Sequence, residues 1–296
     1  MLMAAADQMQ TLIRRGESTL PEMSDRQFAQ WVELIESRTG MTMPSERKSF
    51  LVTSVGLRMR ELGFDDYDDY YRHLVSGIAG NLEWAALVDR LTVHETRFFR
   101  DPRAVEYLVE RVLPRVAGND DHAINLWSVG CSTGEEVYTL AMAVADGLED
   151  QRDPRHFGVT GTDISLHALA EGRRGEYPGR RLRDIPEDKR DRYCERLVGQ
   201  ERFRVIERLR RRVCFAQMNV LDVGVAAGLQ MDVIYCQNLL IYFDRRRRDA
   251  IVGGLARHLR PGGVMILGAG EFVRASPEGL DRARDSGDVL AFRRRS

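Results

Sequence analysis

The feature that most constrains this chain is a change of hydrophobic pattern near Ala123. From there onward, short apolar runs alternate with stretches whose apolar residues recur at helical spacing. We predict strands at 124–129, 157–162, 233–236, 264–267 and 289–292, with helices at 134–147, 166–172 and 246–259. Strand–helix alternation is typical of an α/β fold with a doubly wound, mostly parallel sheet.

The alternation is interrupted between Tyr177 and Met218. Residues 193–197, 203–206 and 213–216 have the composition of short strands, without helical stretches between them. We therefore predict a small antiparallel β-subdomain over residues 178–218, inserted in the larger sheet.

The first part of the chain has a different, purely helical pattern. Residues 1–22 are predicted to form a flexible leader, and residues 23–91 an all-helical domain. Its first helix is marked by Ser24 and by Gln27 three residues later, which together form a capping box. Residues 92–296 then remain for the α/β domain, which is long enough to bury a core of its own.

Net charge and cysteine usage exclude several classes of protein. A formal net charge of −1 gives no overall field that would concentrate the protein on nucleic acid. The four cysteines are not paired at a metal-ligand spacing, so we expect free thiols and no metal site. No apolar run reaches about 18 residues, and the N-terminus lacks a secretory signal core. We therefore expect a cytoplasmic protein that does not insert into a membrane.

A glycine-containing loop joins the first predicted strand of the sheet to its helix. Gly130 and Gly134 allow a tight turn and a close approach to a ligand. Glu135 and Glu136 follow, where they would repel a pyrophosphate and attract an ammonium or sulfonium group. This favours S-adenosylmethionine (SAM) over a dinucleotide, as does the absence of a G-x-G-x-x-G motif. The alternative is an ordinary strand–helix turn with acids that suit the helix dipole.

Polar residues also follow the next two strands that flank a ligand crevice. Asp163 is placed where an acid typically binds ribose hydroxyls, although it is also a good N-cap for the following helix. Asn238 and Tyr242 come after a buried strand and can face a ligand at the strand ends. The alternative for this pair is a turn asparagine and a core tyrosine.

The segment 92–101 precedes the sheet and places polar side chains beside two phenylalanines. Arg100 can pair with the carboxylate of a bound amino-acid moiety or with that of a substrate glutamate. His94 by itself is more often a structural histidine than a catalytic one.

Together these segments resemble the chemotaxis receptor methyltransferase family, CheR. The family pattern is T-x-N-x-T-x-F-F-R, then C/A-S-T-G-E-E, T-D-I-S, C-R-N-x-x-I-Y-F and P-G-G. The matching segments here are 92–100, 131–136, 162–165, 236–243 and 261–263. The resemblance implies a Rossmann-like SAM-methyltransferase sheet with a helical N-terminal domain. It also implies a protein-glutamate O-methyltransferase whose second product is S-adenosylhomocysteine (SAH).

The resemblance further implies which residues act. It places cofactor contacts at Thr96, Arg100, Glu136, Asp163, Asn219, Val220 and Asn238. Two more cofactor positions depart from the pattern, because His94 replaces the usual asparagine and Gln237 the usual arginine. Both side chains can still form hydrogen bonds, so they belong to the predicted cofactor site. Arg100 and Tyr242 match residues near the transferred methyl group and are the predicted catalytic residues.

The implied partner is the helical cytoplasmic domain of a chemoreceptor, docked on the N-terminal helical domain. Basic residues of the second predicted helix can meet acidic methylation sites or form only a solvated face. They are Arg47, Lys48, Arg58 and Arg60. The stretch 197–203 is short and has one glycine, so strong binding of a receptor-tail peptide is not expected.

Other functions are compatible with parts of the sequence. The same chemistry can serve a pilus or surface-sensing pathway, which the sequence does not separate from chemotaxis. A non-catalytic SAM-binding scaffold would lose the residues of the reacting centre, and the presence of Arg100 and Tyr242 argues against it.

Overall fold

The computed structural model describes residues 20–117, 122–150, 156–225, 229–272 and 277–295. The chain divides into two compact units. The second unit consists of residues 36–42 and 92–296, and the remainder forms the first. Residues 36–42, which the sequence assigned to the helical domain, therefore pack with the second unit. Most of the predicted leader, residues 1–19, lies outside the described residues.

The N-terminal part of the chain is helical, as predicted. Its helices are α1 (Asp25–Thr39), α2 (Lys48–Glu61), α3 (Tyr67–Leu74) and α4 (Gly77–Leu91), and a 3-10 turn at Ser45–Arg47 precedes α2. The capping box is confirmed. The Ser24 N–H donates to Gln27 Oε1 at 3.0 Å, and the Gln27 N–H donates to Ser24 Oγ at 3.2 Å.

A buried ion pair helps to organise this helical unit. The Glu83 side chain is only 5% exposed, and its carboxylate accepts hydrogen bonds from Arg58 Nε at 2.8 Å and Arg58 Nη2 at 2.7 Å. The Tyr70 hydroxyl donates to the same carboxylate at 2.7 Å. Lys48 pairs with Asp25 at 2.6 Å. The guanidinium of Arg58 is therefore engaged inside the unit, and receptor contact through the basic residues of this helix stays a prediction.

The second unit is built on a seven-stranded sheet. The strands of both the main and the small sheet, in chain order, are β1 (Ile124–Val129), β2 (Phe157–Asp163), β3 (Glu176–Pro178), β4 (Cys194–Arg196), β5 (Arg202–Val205), β6 (Val213–Gln217), β7 (Met231–Cys236), β8 (Leu259–Leu267), β9 (Leu280–Arg282) and β10 (Leu290–Arg294). The main sheet has the order β6-β2-β1-β7-β8-β10-β9. The first five of these are parallel, and β10 runs antiparallel to both of its neighbours.

Helices and apolar cores cover both faces of this sheet. The helices are α5 (Pro102–Tyr107), α6 (Leu113–Ala117), α7 (Glu135–Asp150), α8 (Leu166–Arg174), α9 (Glu187–Tyr193), α10 (Glu207–Arg210) and α11 (Arg245–Ala256). Neighbouring rows of the sheet alternate between the two cores: Leu126, Val233 and Val264 face one, and Trp127, Ile234 and Met265 face the other. The predicted doubly wound α/β fold is confirmed. Within the described ranges, no helix has both the length and the apolar character needed to cross a membrane.

The small antiparallel sheet is present, but its composition differs from the prediction. Its strand order is β3-β5-β4. The run at 213–216, predicted to belong to it, instead forms β6 at the edge of the main sheet, where Val213 pairs in parallel with Val159. That assignment was wrong because β6 is only partly buried, and a half-exposed parallel edge strand has the same local pattern as a hairpin strand.

Candidate active site

A cavity of about 170 Å³ opens where the carboxyl ends of β1 and β7 meet. Its lining comes from three segments of the second unit, at 93–105, 130–140 and 235–242. This is the place where ligands bind in doubly wound sheets, because loops from neighbouring parallel strands emerge on the same side. The three segments include three of the sequence motifs.

The loop after β1 has the tight geometry that its glycines predict. Gly130 and Gly134 have φ angles of +74° and +90°. The N–H groups of Gly130 and Cys131 both donate to the carbonyl of Thr162, at 2.8 and 2.9 Å. A Cβ at Gly134 would lie 2.9 Å from a ring carbon of Phe215 and 3.0 Å from the Cα of Gly172. The loop is therefore fixed against β2 and has no room for a side chain at this position.

Gly134→Ala is expected to lower the free energy of unfolding by about 2–3 kcal/mol, because it adds steric overlap to the strain of a left-handed backbone. The matched control is Gly262→Ala. Gly262 has a φ of +78° but nothing within 4 Å of the added Cβ, so only the backbone strain remains. We expect it to cost about 1 kcal/mol. Urea unfolding of the two variants measures the difference, and equal losses would show that the loop can relax around the methyl group.

Glu136 is one of three acidic residues in the lining, with Glu95 and Asp101. Its carboxylate accepts a hydrogen bond from the Ser128 hydroxyl at 2.7 Å. Burial raises the pKa of Glu136 to about 8, and the charge of Glu271 adds to the rise while Arg100 opposes it. A cationic ligand group placed beside this carboxylate would restore its ionised form. Arg100 lines the same cavity, so a carboxyl group and a guanidinium of this pair are both available to a ligand there.

Two arginine side chains donate hydrogen bonds to main-chain carbonyl groups of the segment 92–101. Arg100 Nη1 donates to the carbonyl of Glu95 at 2.7 Å. Arg181, on the 3-10 turn Gly179–Asp184, donates to the carbonyl of Thr96 and lies 3.5 Å from Glu135. No local pattern pointed to Arg181, because 85 residues separate it from Thr96. Glu135, predicted as a second acid at the loop, is buried beneath it rather than in the cavity lining.

Asp163 and His94 lie beside the loop and are not among the lining residues. The Asp163 carboxylate accepts the N–H of Ser132 at 2.8 Å and that of Ser165 at 2.9 Å. The cap of α8 is Ser165, whose hydroxyl accepts the N–H of Ala168 at 3.0 Å. A ring nitrogen of His94 lies 3.5 Å from the Ser132 hydroxyl. Both residues therefore contact Ser132, which does line the cavity.

Asn219 and Val220 also lie outside the lining. Asn219 Oδ1 accepts the N–H of Leu221 at 3.1 Å, and its Nδ2 donates to the carbonyl of Arg38 at 2.7 Å. Val220 is buried in the core that also contains Trp127, Ile234 and Met265. The Thr42 N–H similarly donates to the carbonyl of Tyr242 at 2.8 Å. Residues 36–42 thus brace two predicted site positions, and the sequence did not predict this role.

The turn after β7 carries the remaining site residues. Asn238 has a left-handed φ of +57°, and Gln237 Nε2 donates to Asp101 Oδ2 at 3.1 Å. Glu271 lies behind this turn, is 2% exposed and accepts the N–H of Gly268 at 3.0 Å. Burial raises the pKa of Glu271, and the backbone N–H of Asn238 offsets part of that rise. Glu271 is a second residue that the sequence analysis missed, because it follows a strand without belonging to a quoted motif.

Six predicted site residues therefore line one cavity: Thr96, Arg100, Glu136, Gln237, Asn238 and Tyr242. His94 and Asp163 contact Ser132 of the lining. Asn219 and Val220 contact other residues, and their predicted cofactor contacts stay predictions. No group of three or more potential metal ligands occurs in the part of the chain that the structure describes.

The sheet order, the glycine loop and a cavity lined by opposite charges at the strand ends define a SAM-dependent methyltransferase domain. Comparison with known families agrees. Residues 94–285 match the family described as "CheR methyltransferase, SAM binding domain", and residues 26–92 match "CheR methyltransferase, all-alpha domain". The chain belongs to the CheR methyltransferase family.

Several curated relatives are similar over most of this chain. A "Chemotaxis protein methyltransferase" of Klebsiella aerogenes is 31% identical over 269 residues, covering 88% of this chain and 90% of the relative. One of the same description from Borreliella burgdorferi is 26% identical, covering 84% and 89%. A "Probable biofilm formation methyltransferase WspC" of Pseudomonas aeruginosa is 34% identical and covers 87% of this chain but 59% of that longer protein.

Proposed function

We propose that this chain methylates glutamate side chains on the cytoplasmic helical domain of a chemoreceptor. The products are glutamyl methyl esters and SAH. The observation that carries the proposal is the placement of Glu136 and Arg100 on one cavity at the strand ends of a CheR-family domain. An amino acid such as the methionine moiety of SAM presents an ammonium and a carboxylate, which these two charges complement.

The lining residues suit SAM in several further respects. Glu136 would accept the ammonium group, and Arg100 would pair with the carboxylate. Asn238 and Gln237 offer amide groups in the same lining. Asp163, held beside the loop by Ser132, has lone pairs left for ribose hydroxyls. When bound, SAM supplies a methyl group activated by its positive sulfur.

The acceptor needs little chemical activation. A glutamate carboxylate is ionised at neutral pH, so no strong general base is required. The acceptor oxygen forms the new O–C bond as the C–S bond breaks, the electron pair stays on sulfur, and no proton is transferred. The residues of the site then act mainly by holding two reactants in line, which can contribute about 7–11 kcal/mol. Arg100 and Tyr242 are the residues we assign to this orientation.

The direct test uses methyl-tritiated SAM and membranes from the native host deleted for this gene, whose receptors lack this modification. Base-labile label on a membrane protein is the expected result, because methyl esters hydrolyse in base. Calorimetry with SAH and with NAD checks the cofactor independently, and we expect heat of binding only with SAH. Binding of SAH without any label would instead favour the non-catalytic scaffold.

Tyr242→Phe is expected to lower the rate of methyl transfer about tenfold, with SAH affinity unchanged, because one hydroxyl at the reacting centre is lost. The matched control is Tyr107→Phe. The Tyr107 hydroxyl is buried and lies outside the cavity lining. Its removal should leave the rate of label transfer unchanged. If both variants transfer label at the wild-type rate, Tyr242 has no part in orientation.

A second candidate is the same chemistry in a surface-sensing or pilus pathway. The similarity to the WspC relative, at 34% identity, favours the surface-sensing form. Identification of the labelled membrane protein by mass spectrometry separates the two pathways. The turn between β4 and β5 is short in either case, so we expect weak binding of a receptor-tail peptide there.

A further inference from the structure

Arg97 is a positively charged residue at the cavity that forms no ion pair within the described ranges. It lies in the segment 92–101 between Thr96 and the buried Phe98, at a position that the family pattern leaves variable. Its side chain lines the cavity, and the residue is exposed. No hydrogen bond or ion pair joins Arg97 to another residue of the described ranges. Nothing in the fold therefore accounts for a charged side chain here.

The other lining arginine differs in this respect. Arg100 is braced by the carbonyl of Glu95, and its charge acts on Glu136. An amino-acid moiety bound between Glu136 and Arg100 would use the charges of both. Arg97 would then remain as a cation of the lining with no partner in either the protein or the cofactor.

The electrostatics of the cavity make such a cation useful. Glu95, Asp101 and Glu136 all line it, so an incoming carboxylate meets acidic groups on approach. Asp101 is occupied by Gln237 and by the Ala104 N–H, but its charge remains. An anionic acceptor therefore requires a compensating positive group near the entrance.

We propose that Arg97 binds the acceptor carboxylate and so determines selection of an acidic acceptor. The assignment rests on the proposed function, because it needs an anionic acceptor. One N–H of the guanidinium holds one carboxylate oxygen, which leaves the other oxygen to attack the methyl carbon. Arg97 is in this sense a specificity-determining residue and does not take part in cofactor binding.

The test compares Arg97→Ala, Arg97→Glu and Arg97→Lys in two measurements. The first is the receptor concentration that gives half-maximal labelling, using membranes of the deleted host and saturating methyl-tritiated SAM. The second is SAH affinity by calorimetry. The matched control is Arg103→Ala. Arg103 is 77% exposed, lies outside the cavity lining and pairs, within the described ranges, only with an exposed aspartate at 3.5 Å.

We expect half-saturation to rise about tenfold in Arg97→Ala and further in Arg97→Glu. Arg97→Lys should recover most of the loss, and SAH affinity should stay within about twofold of wild type in all three variants. The control should match wild type in both measurements. Unchanged half-saturation in active variants would overturn the assignment to the acceptor. A parallel loss of SAH affinity would also overturn it, because Arg97 would then serve the cofactor. A wild-type protein that binds SAH but labels nothing would refute the proposed function, and this inference with it.

Discussion

Glu136→Gln is expected to weaken SAH binding by about 100-fold or more. The substitution keeps the size of the side chain and its hydrogen bond with Ser128, but it removes the negative charge that faces the cavity. Removing one partner of a buried ion pair typically costs about 3–5 kcal/mol, and each 1.4 kcal/mol is about tenfold in affinity. Calorimetric titration with SAH measures the loss. Affinity within about threefold of wild type would show that Glu136 does not contact the ammonium group.

The same residue should make SAH binding depend on pH. The free protein holds Glu136 with a pKa of about 8, whereas the bound cation favours the ionised carboxylate. Affinity should therefore rise by up to about tenfold per pH unit from pH 6 and level off near pH 8. Binding at pH 7 should release a proton, which calorimetry in buffers of different ionisation enthalpy detects. Glu136→Gln should show neither effect, and a flat profile in the wild type would exclude this linkage.

SAH affinity should rise with pH, whereas the free energy of unfolding of the ligand-free protein should fall with pH. The folded-state pKa of Glu136 is raised above its ordinary value of 4.5, so the folded state binds more protons than the unfolded state between these values. Stability is then lost as pH rises through this window. Glu136→Gln avoids the loss and should have a higher Tm than wild type at pH 9, with little difference at pH 4. Lower stability in the variant at both pH values would show that the carboxylate is structurally required.

The sequence predicted the site better than it predicted the contacts that support the site. Gly130 and Asn238 belong to motifs that directly follow predicted strands, and parallel strands bring their carboxyl ends together. Their meeting at one cavity therefore follows from the fold class alone. Arg181 and Glu271 could not be inferred in this way, because their roles depend on tertiary contacts that no local spacing encodes.

The local hydrophobic pattern was also insufficient to predict where helices end and strands begin. The helix predicted to reach residue 259 ends at Ala256, and Leu259 already opens β8. Both the end of a helix and the start of a buried strand are apolar, so hydrophobic spacing does not separate them. For function, the resemblance to the family implied a cofactor contact at Asn219, which stays a prediction. Local pattern did not indicate that its side chain donates to the carbonyl of Arg38 and accepts the N–H of Leu221.

Arg100→Ala is expected to lower SAH affinity and the rate of methyl transfer together, each by about 100-fold. Arg100 and Glu136 are close enough for their charges to interact, and both line the cavity. Loss of Arg100 would remove the partner of the amino-acid carboxylate and leave the alignment of the methyl group less constrained. Its guanidinium also braces the carbonyl of Glu95, so the segment that carries Thr96 would loosen.

The measurements are SAH titration and initial rates with membranes of the deleted host at saturating SAM. Arg100→Lys retains the charge but not the planar fork, and should recover part of the affinity without restoring the rate fully. Arg103→Ala, outside the cavity lining, is the control that should behave as wild type in both. A large loss of rate at unchanged SAH affinity would move Arg100 to the acceptor side of the reaction. In that case the cofactor carboxylate would need another partner, and Arg97 is the cation of the lining that remains for it.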